Sequence, residues 1–202
     1  APPAGVVTVP AVQTIRMRAL VTDVLHAAYA VQLVDLPRGR AAAYDADGTV
    51  HVRGGLHPGD TYTAVSQLHV PDVERLGEEM GSWEALAQVD IGQRYLSLPP
   101  SVPERVGQLT RELVAGAETP YAAARRIEAY LRDYPYRTDT PFTPPGRDFV
   151  DYFLFDLRAG YCVYFASAMV VMLRTVGIPA RMVQGFILPI DGPGDYTVTD
   201  AH

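Results

Sequence analysis

The chain has 202 residues, a net charge of −6, 48% apolar residues and 20% charged residues. That composition suits one large or two small globular domains and argues against a basic face for nucleic acid or an anionic membrane. All 17 basic residues are arginine, and there is neither lysine nor asparagine, so lysine Schiff-base chemistry, a P-loop and N-glycosylation are excluded.

Residues 1–72 read as a β-rich, sandwich-like domain. Ile15, Met17 and Ala19 alternate with Thr14, Arg16 and Arg18 at the period of a half-buried strand. Ala27 to Val34 is a second apolar run. Asp47-Gly48, between Ala42-Ala43-Tyr44 and Val50-His51-Val52, is a hairpin signal. Pro58-Gly59 marks another turn before a strand over Thr61–Leu68. Residues 73–100 read as a linker with a short helix over Val73–Met80, and Tyr95, Leu96 and Leu98 as anchors. After Pro99-Pro100 the period becomes helical. Ser101-x-x-Glu104 has the form of a capping box, and Val106, Leu109 and Leu113 follow at helical spacing. Thr119-Pro120 reads as N-cap and first residue of a helix carrying Ala123, Ile127, Tyr130 and Leu131. Phe149–Leu157 is a short aromatic helix. From Cys162 the apolar positions Phe165, Ala166, Met169, Met172, Leu173 and Val176 define a further helix, which Gly177 and Pro179 end. Arg181–Leu188 and Tyr196 onward read as strands.

The chemistry centres on the only cysteine, which rules out an internal disulfide. Cys162 falls in the first turn of a helix, where free N–H groups and the dipole stabilise a thiolate and can donate to an oxyanion. His202, on a later strand, is the histidine that could serve it, and a Cys–His pair is the minimum for thiol acyl transfer. Taken singly, a lone cysteine on an apolar helix is more often a small buried hydrophobe, so spacing leaves both readings open. His26, His51, His57 and His69 read as surface or edge-strand residues, and His51 and His57 lack zinc-site spacing.

Gly160-Tyr161-Cys162, Phe165-Ala166-Ser167-Ala168, Gly177-Ile178-Pro179-Ala180-Arg181 and Gly185 closely resemble the transglutaminase-like superfamily. Asp200-Ala201-His202 resembles its histidine motif. Residues from Tyr95 through Tyr134-Pro135-Tyr136 and Asp148–Leu154 resemble the soluble domain of multi-pass bacterial membrane proteins of that family. The resemblance implies an α+β chain: a β-rich N-terminal domain and, over 101–202, an incomplete papain-like core truncated at its C-terminal end. It implies Cys162 as nucleophile, His202 as base, and the backbone N–H of Cys162 with a group near Tyr161 as oxyanion donors. The third triad member, an aspartate, falls on a strand beyond residue 202. Asp195 and Asp200 are the nearest acids, and Asp200 is not expected to complete the triad.

The implied reaction is acyl transfer on peptide or carboxamide substrates through a thioester, with hydrolysis preferred. The alternatives are a protein-glutamine gamma-glutamyltransferase and a non-catalytic peptide- or cell-wall-binding module. Neither cofactor nor metal is expected. The partners expected are a peptide or protein substrate, no nucleic acid, and another segment or chain supplying the missing strand. No stretch approaches the ~18–20 apolar residues of a membrane span, and no signal peptide is visible. Even so, the resemblance implies a membrane-anchored parent with this part at the extracytoplasmic face of a bacterial membrane. Cys162 is expected to be partly buried beside a cleft, with the His202 imidazole within about 4 Å.

Overall fold

The structure, a computed structural model, describes residues 7–46, 48–70, 72, 74, 82–87, 93–186 and 193–198. The chain divides into two compact units, Ala1–Asp72 and Val73–His202. Helices and sheets are both present, with the strands confined to the first unit among the described residues.

The first unit holds β1 (Val7–Arg16), β2 (Thr22–Val24), β3 (Val31–Asp35), β4 (Ala41–Tyr44), β5 (Val50–Leu56) and β6 (Thr61–Val70). They form two antiparallel sheets in the orders β1-β6-β3 and β2-β5-β4. Val50, Val52 and Leu56 of β5 share one core with Tyr62 and Ala64 of β6. Since β5 and β6 belong to different sheets, the sheets face each other as a sandwich. β1 starts seven residues before the expected strand because β6 pairs with it from Val7↔Val70 to Arg16↔Thr61. Pro10 is tolerated because β1 is an edge strand. The apolar run from Ala27 pairs only from Val31, since Ala30 adopts φ 59° and breaks the strand.

The β4–β5 hairpin turns through Gly48 (φ 80°), with the Asp45 carboxylate accepting from the Thr49 N–H at 2.9 Å. His51, read from the sequence as a surface or edge-strand residue, sits on β5, the central strand of its sheet, with its side chain 40% exposed. Its two ring nitrogens lie 3.1 Å from Asp23 and 3.3 Å from Asp45. Both carboxylates favour the imidazolium and raise its pKa, Asp23 first. His26, given the same surface or edge-strand reading, is half-buried just after β2. Its N–H donates to the Tyr62 hydroxyl at 3.1 Å, and that hydroxyl donates to its carbonyl at 2.7 Å. Burial pushes the Tyr62 phenol up to about 12.

The second unit is helical where described: α1 (Trp83–Ala87), a 3-10 turn (Gln93–Tyr95), α2 (Glu104–Val114), α3 (Pro120–Arg132), α4 (Phe149–Tyr152) running into a π-helical turn (Phe153–Leu157), and α5 (Cys162–Thr175). No helix among the described residues is long and apolar enough to cross a membrane. Of the expected helix over Val73–Met80 only Glu74 is among the described residues, and it is helical. Val106 of α2, Ala123, Ile127 and Leu131 of α3, Phe153 and Leu154 of the π turn, and Tyr164, Ala168 and Met172 of α5 form one core.

Thr119 caps α3 as its sequence predicts, accepting from the Ala122 N–H at 3.0 Å, with Pro120 in the first turn. The predicted capping box does not form. Pro103 is the N-cap of α2, and the Ser101 hydroxyl donates to Asp148 at 3.0 Å. Asp148 itself caps α4, accepting from the Val150 and Asp151 N–H groups, both at 3.0 Å. Its neighbour Asp151 is 2% exposed. Arg105 of α2 grips Asp151 from Nε and Nη2 at 2.5 and 2.6 Å, and Arg147 donates to it at 3.1 Å. The two guanidiniums, Arg105 foremost, hold the Asp151 carboxyl below its ordinary value.

Gly177, at φ 79°, ends α5 as expected. Arg174 then reaches across the chain reversal. Its guanidinium donates to the Ala180 carbonyl from Nε at 2.9 Å and Nη2 at 2.6 Å, and to the Ser97 carbonyl at 2.7 Å. The Ala180 N–H completes the junction at the Tyr95 carbonyl, 3.0 Å away. The expected strands over Arg181–Leu188 and from Tyr196 onward lie partly outside the described residues, and residues 181–186 and 196–198 carry no strand assignment. Met182, Val183, Phe186, Tyr196 and Val198 are all exposed.

Candidate active site

The path to Cys162 starts in the π-helical turn. The turn ends at Arg158, which takes a left-handed conformation (φ 51°) and returns its N–H to the Phe153 carbonyl at 2.9 Å. The Arg158 guanidinium lies 5.2 Å from the centre of the Tyr134 ring. Tyr134 is buried, and its hydroxyl donates to the Leu154 carbonyl inside the turn at 2.7 Å. Burial pushes its phenol well above the usual range. Two residues later Gly160 is held on both sides. Its N–H donates to the Pro135 carbonyl at 3.2 Å, and its carbonyl accepts from the Arg137 N–H at 2.7 Å. A β-carbon there would stand 2.7 Å from Cβ and Cγ of Tyr164, so only glycine fits this approach.

Tyr161 is the N-cap of α5 and offers no side-chain cap. Cys162 follows as the first helical residue, the position its sequence predicts. The Tyr164 and Phe165 N–H groups turn back to the Tyr161 carbonyl at 2.8 and 3.4 Å. Helix geometry leaves the N–H groups of Cys162 and Val163 without intrahelical acceptors, so these are the donors beside the thiol. Cys162 is exposed, which corrects the expected partial burial. The cause is the face it occupies: Tyr164, Ala168 and Met172 turn into the core, while Cys162, Phe165, Ala166 and Met169 line an open cleft.

The cleft measures about 740 Å³ and runs between α3 and α5, with Tyr121, Ala124 and Leu131 on its far wall and Tyr134 and Tyr136 at one end. Its charged groups, Arg125, Glu128 and Arg132, pair among themselves. Tyr136 stacks on Phe165 with ring centres 6.1 Å apart and planes 9° from parallel. In the sequence Tyr136 belongs to the Tyr134-Pro135-Tyr136 stretch of the family resemblance, but it falls in no periodic element and nothing there marks it as a site residue.

His202, the expected base, lies outside the described residues, as does Asp200. Asp195 is described and exposed. Among the described residues no group of three or more His, Cys, Asp or Glu side chains is arranged to hold a metal ion.

Residues 107–202 match the family profile described as Transglutaminase-like superfamily. Residues 107–202 form a transglutaminase-like domain. Over 96 residues the chain is 43% identical to an uncharacterized protein, YebA, of Bacillus subtilis, covering 46% of this chain and 13% of that protein. Over 125 residues it is 34% identical to a protein-glutamine gamma-glutamyltransferase of Pseudomonas aeruginosa, covering 59% of this chain and 19% of the relative. The crystal structure of the periplasmic domain of TgpA from Pseudomonas aeruginosa superposes with a TM-score of 0.63 at 25% identity, over 89% of this chain and 58% of that one. The chain thus spans under a fifth of either curated relative and somewhat more than half of the solved domain. The transglutaminase-like fold and a preceding sheet region are common to this chain and the solved domain.

Proposed function

We propose that the transglutaminase-like unit transfers acyl groups through a thioester on Cys162. The acyl donor is a carboxamide, such as a glutamine side chain in a peptide or protein. The thiolate attacks the carboxamide carbon, and His202 takes the thiol proton and passes it to the departing ammonia. The N–H groups of Cys162 and Val163 stabilise the oxyanion between these events. The observation that carries this reading is the seat of Cys162: first residue of α5, exposed, and on the wall of an apolar cleft.

The name of the 34% identical relative supports an amine as acceptor, giving gamma-glutamyl transfer. The exposure of Cys162 supports a second reading in which water resolves the thioester and the reaction is hydrolysis. The solved relative is a periplasmic domain, which supports an extracytoplasmic location in a membrane-anchored parent. The test is to incubate the protein with a glutamine-containing peptide, with and without a fluorescent alkylamine, and to follow ammonia release and amine incorporation. Cys162→Ala should lower both by about a thousandfold or more. Ammonia release without incorporation identifies water as the acceptor. Activity that survives Cys162→Ala would overturn the reading.

A further inference from the structure

We propose that the exposed face of Tyr136, backed by Phe165 beside Cys162, is the platform that seats an aromatic side chain of the acyl donor next to the reacting carboxamide. The proposal rests on the reading of Cys162 as the acyl acceptor and names the class of donor that reading leaves open. An exposed tyrosine alone means little. Here the ring is 65% exposed yet fixed from three directions. It lies parallel to Phe165, one turn of helix after the thiol. Its backbone pairs with Gly160, two residues before the thiol. Its neighbours Pro135 and Arg137 both hydrogen-bond Gly160. The ring's position is therefore tied to that of Cys162 at both ends of the loop–helix junction, and a ligand meeting it has little ordering left to do.

The surroundings select an apolar occupant. The cleft of about 740 Å³ that Tyr136 and Cys162 share lies within the range of small-ligand sites, roughly 300–1,000 Å³. Among the described residues its charged lining is Arg125, Glu128 and Arg132, all on α3 and paired with one another, and the wall that carries Tyr136, Cys162, Phe165, Ala166 and Met169 holds no charged side chain. A flat ring laid on Tyr136 continues the existing stack in the offset geometry aromatic pairs prefer.

Alkylation tests this without requiring turnover. The Cys162 thiolate attacks the iodomethylene carbon of iodoacetamide or N-benzyl iodoacetamide. The S–C bond forms, the C–I bond breaks, iodide leaves, and the thiol proton goes to the buffer. The ratio of the two rate constants, divided by the same ratio for the chain unfolded in urea, measures the benzyl preference of the site. The expected preference is about three- to tenfold, the rate equivalent of one aromatic contact. It should persist in Tyr136→Phe and fall to about one in Tyr136→Ala, the ratio cancelling any change that either substitution makes to the reactivity of the thiol itself. Tyr136→Leu, which keeps apolar bulk for folding, should lose it too. A preference of one in the parent chain, or one that survives both Tyr136→Ala and Tyr136→Leu, overturns the proposal. Intact preference with no acyl transfer would remove the enzymatic reading and keep the platform. Acyl transfer with no preference would remove the platform alone.

Discussion

Replacing Gly160 by alanine should loosen the whole approach to Cys162. The added β-carbon would lie 2.7 Å from Cβ and Cγ of Tyr164 and 3.1 Å from its Cδ2. Carbon pairs rest at about 3.5–4.0 Å, so the shortfall is close to 1 Å. Tyr164 cannot yield: its Cβ belongs to α5, and its ring is wedged against Phe149, Phe153 and Tyr161 at centroid distances of 4.6, 5.6 and 5.0 Å. Gly160 cannot yield either without losing its two bonds to Pro135 and Arg137. Overpacking of this kind costs about 1–3 kcal/mol. For a unit of this size that is a fall of roughly 3–10 °C in melting temperature. A slimmer residue at 164 should not rescue the variant, because every residue but glycine keeps the offending Cβ. Calorimetric melts of the parent chain and Gly160→Ala measure the effect, and a variant melting within a degree of the parent would refute the packing argument.

Asp151→Asn should destabilise the helical unit at neutral pH by about 1–3 kcal/mol, since it breaks a charge-assisted contact to a buried carboxylate while leaving both arginines room to reach water. The Asp151 carboxyl is held below its ordinary 3.8 by Arg105 and then Arg147. Its contribution is therefore fully present above the unfolded-chain pKa and is lost as pH falls through the lower folded value. Melting temperature against pH should show that loss in the parent chain, and the part due to Asp151 should be missing in Asp151→Asn. His51 runs the other way. Its pKa is raised above 6.5, chiefly by the Asp23 hydrogen bond and then by Asp45, so its contribution is full below the unfolded pKa and disappears as pH rises through the folded one. NMR titration should place His51 above 6.5, and Asp23→Asn should bring it down.

Local signals with a single structural meaning were legible in the sequence. Thr119-Pro120 can only open a helix cleanly, Gly177 before Pro179 can only end one, and the glycine of the Asp47-Gly48 pair turns the β4–β5 hairpin with a positive φ. The Cys162 helix and its first residue were likewise read correctly. What escaped depends on partners distant in the chain. Ser101-x-x-Glu104 has the letters of a capping box, but the Asp148 carboxylate, 47 residues away, takes the serine hydroxyl. Asp151 looks like a surface charge in an aromatic stretch until Arg105 is brought across it from another helix. β2 has three residues, too few for a period to show. The exposure of Cys162 was misjudged because a helix apolar on two faces does not declare which one meets the core.

The junction built by Arg174 has a consequence for the timescale on which this part of the molecule opens. Residues 177–180 have no regular secondary structure beyond a turn, and by appearance they are a connecting loop whose amides should trade hydrogen for deuterium quickly. Yet the Ala180 N–H is bonded to the Tyr95 carbonyl, and the Ala180 carbonyl is bonded twice to a guanidinium that also holds Ser97. The Ile178 N–H returns to the Leu173 carbonyl at 3.0 Å, and Ile178 itself is in the core. Freeing the Ala180 amide means detaching the segment around Tyr95 from the end of α5. In exchange terms this short connection therefore belongs to the same cooperative unit as the helix it follows, and it releases its protons with that unit.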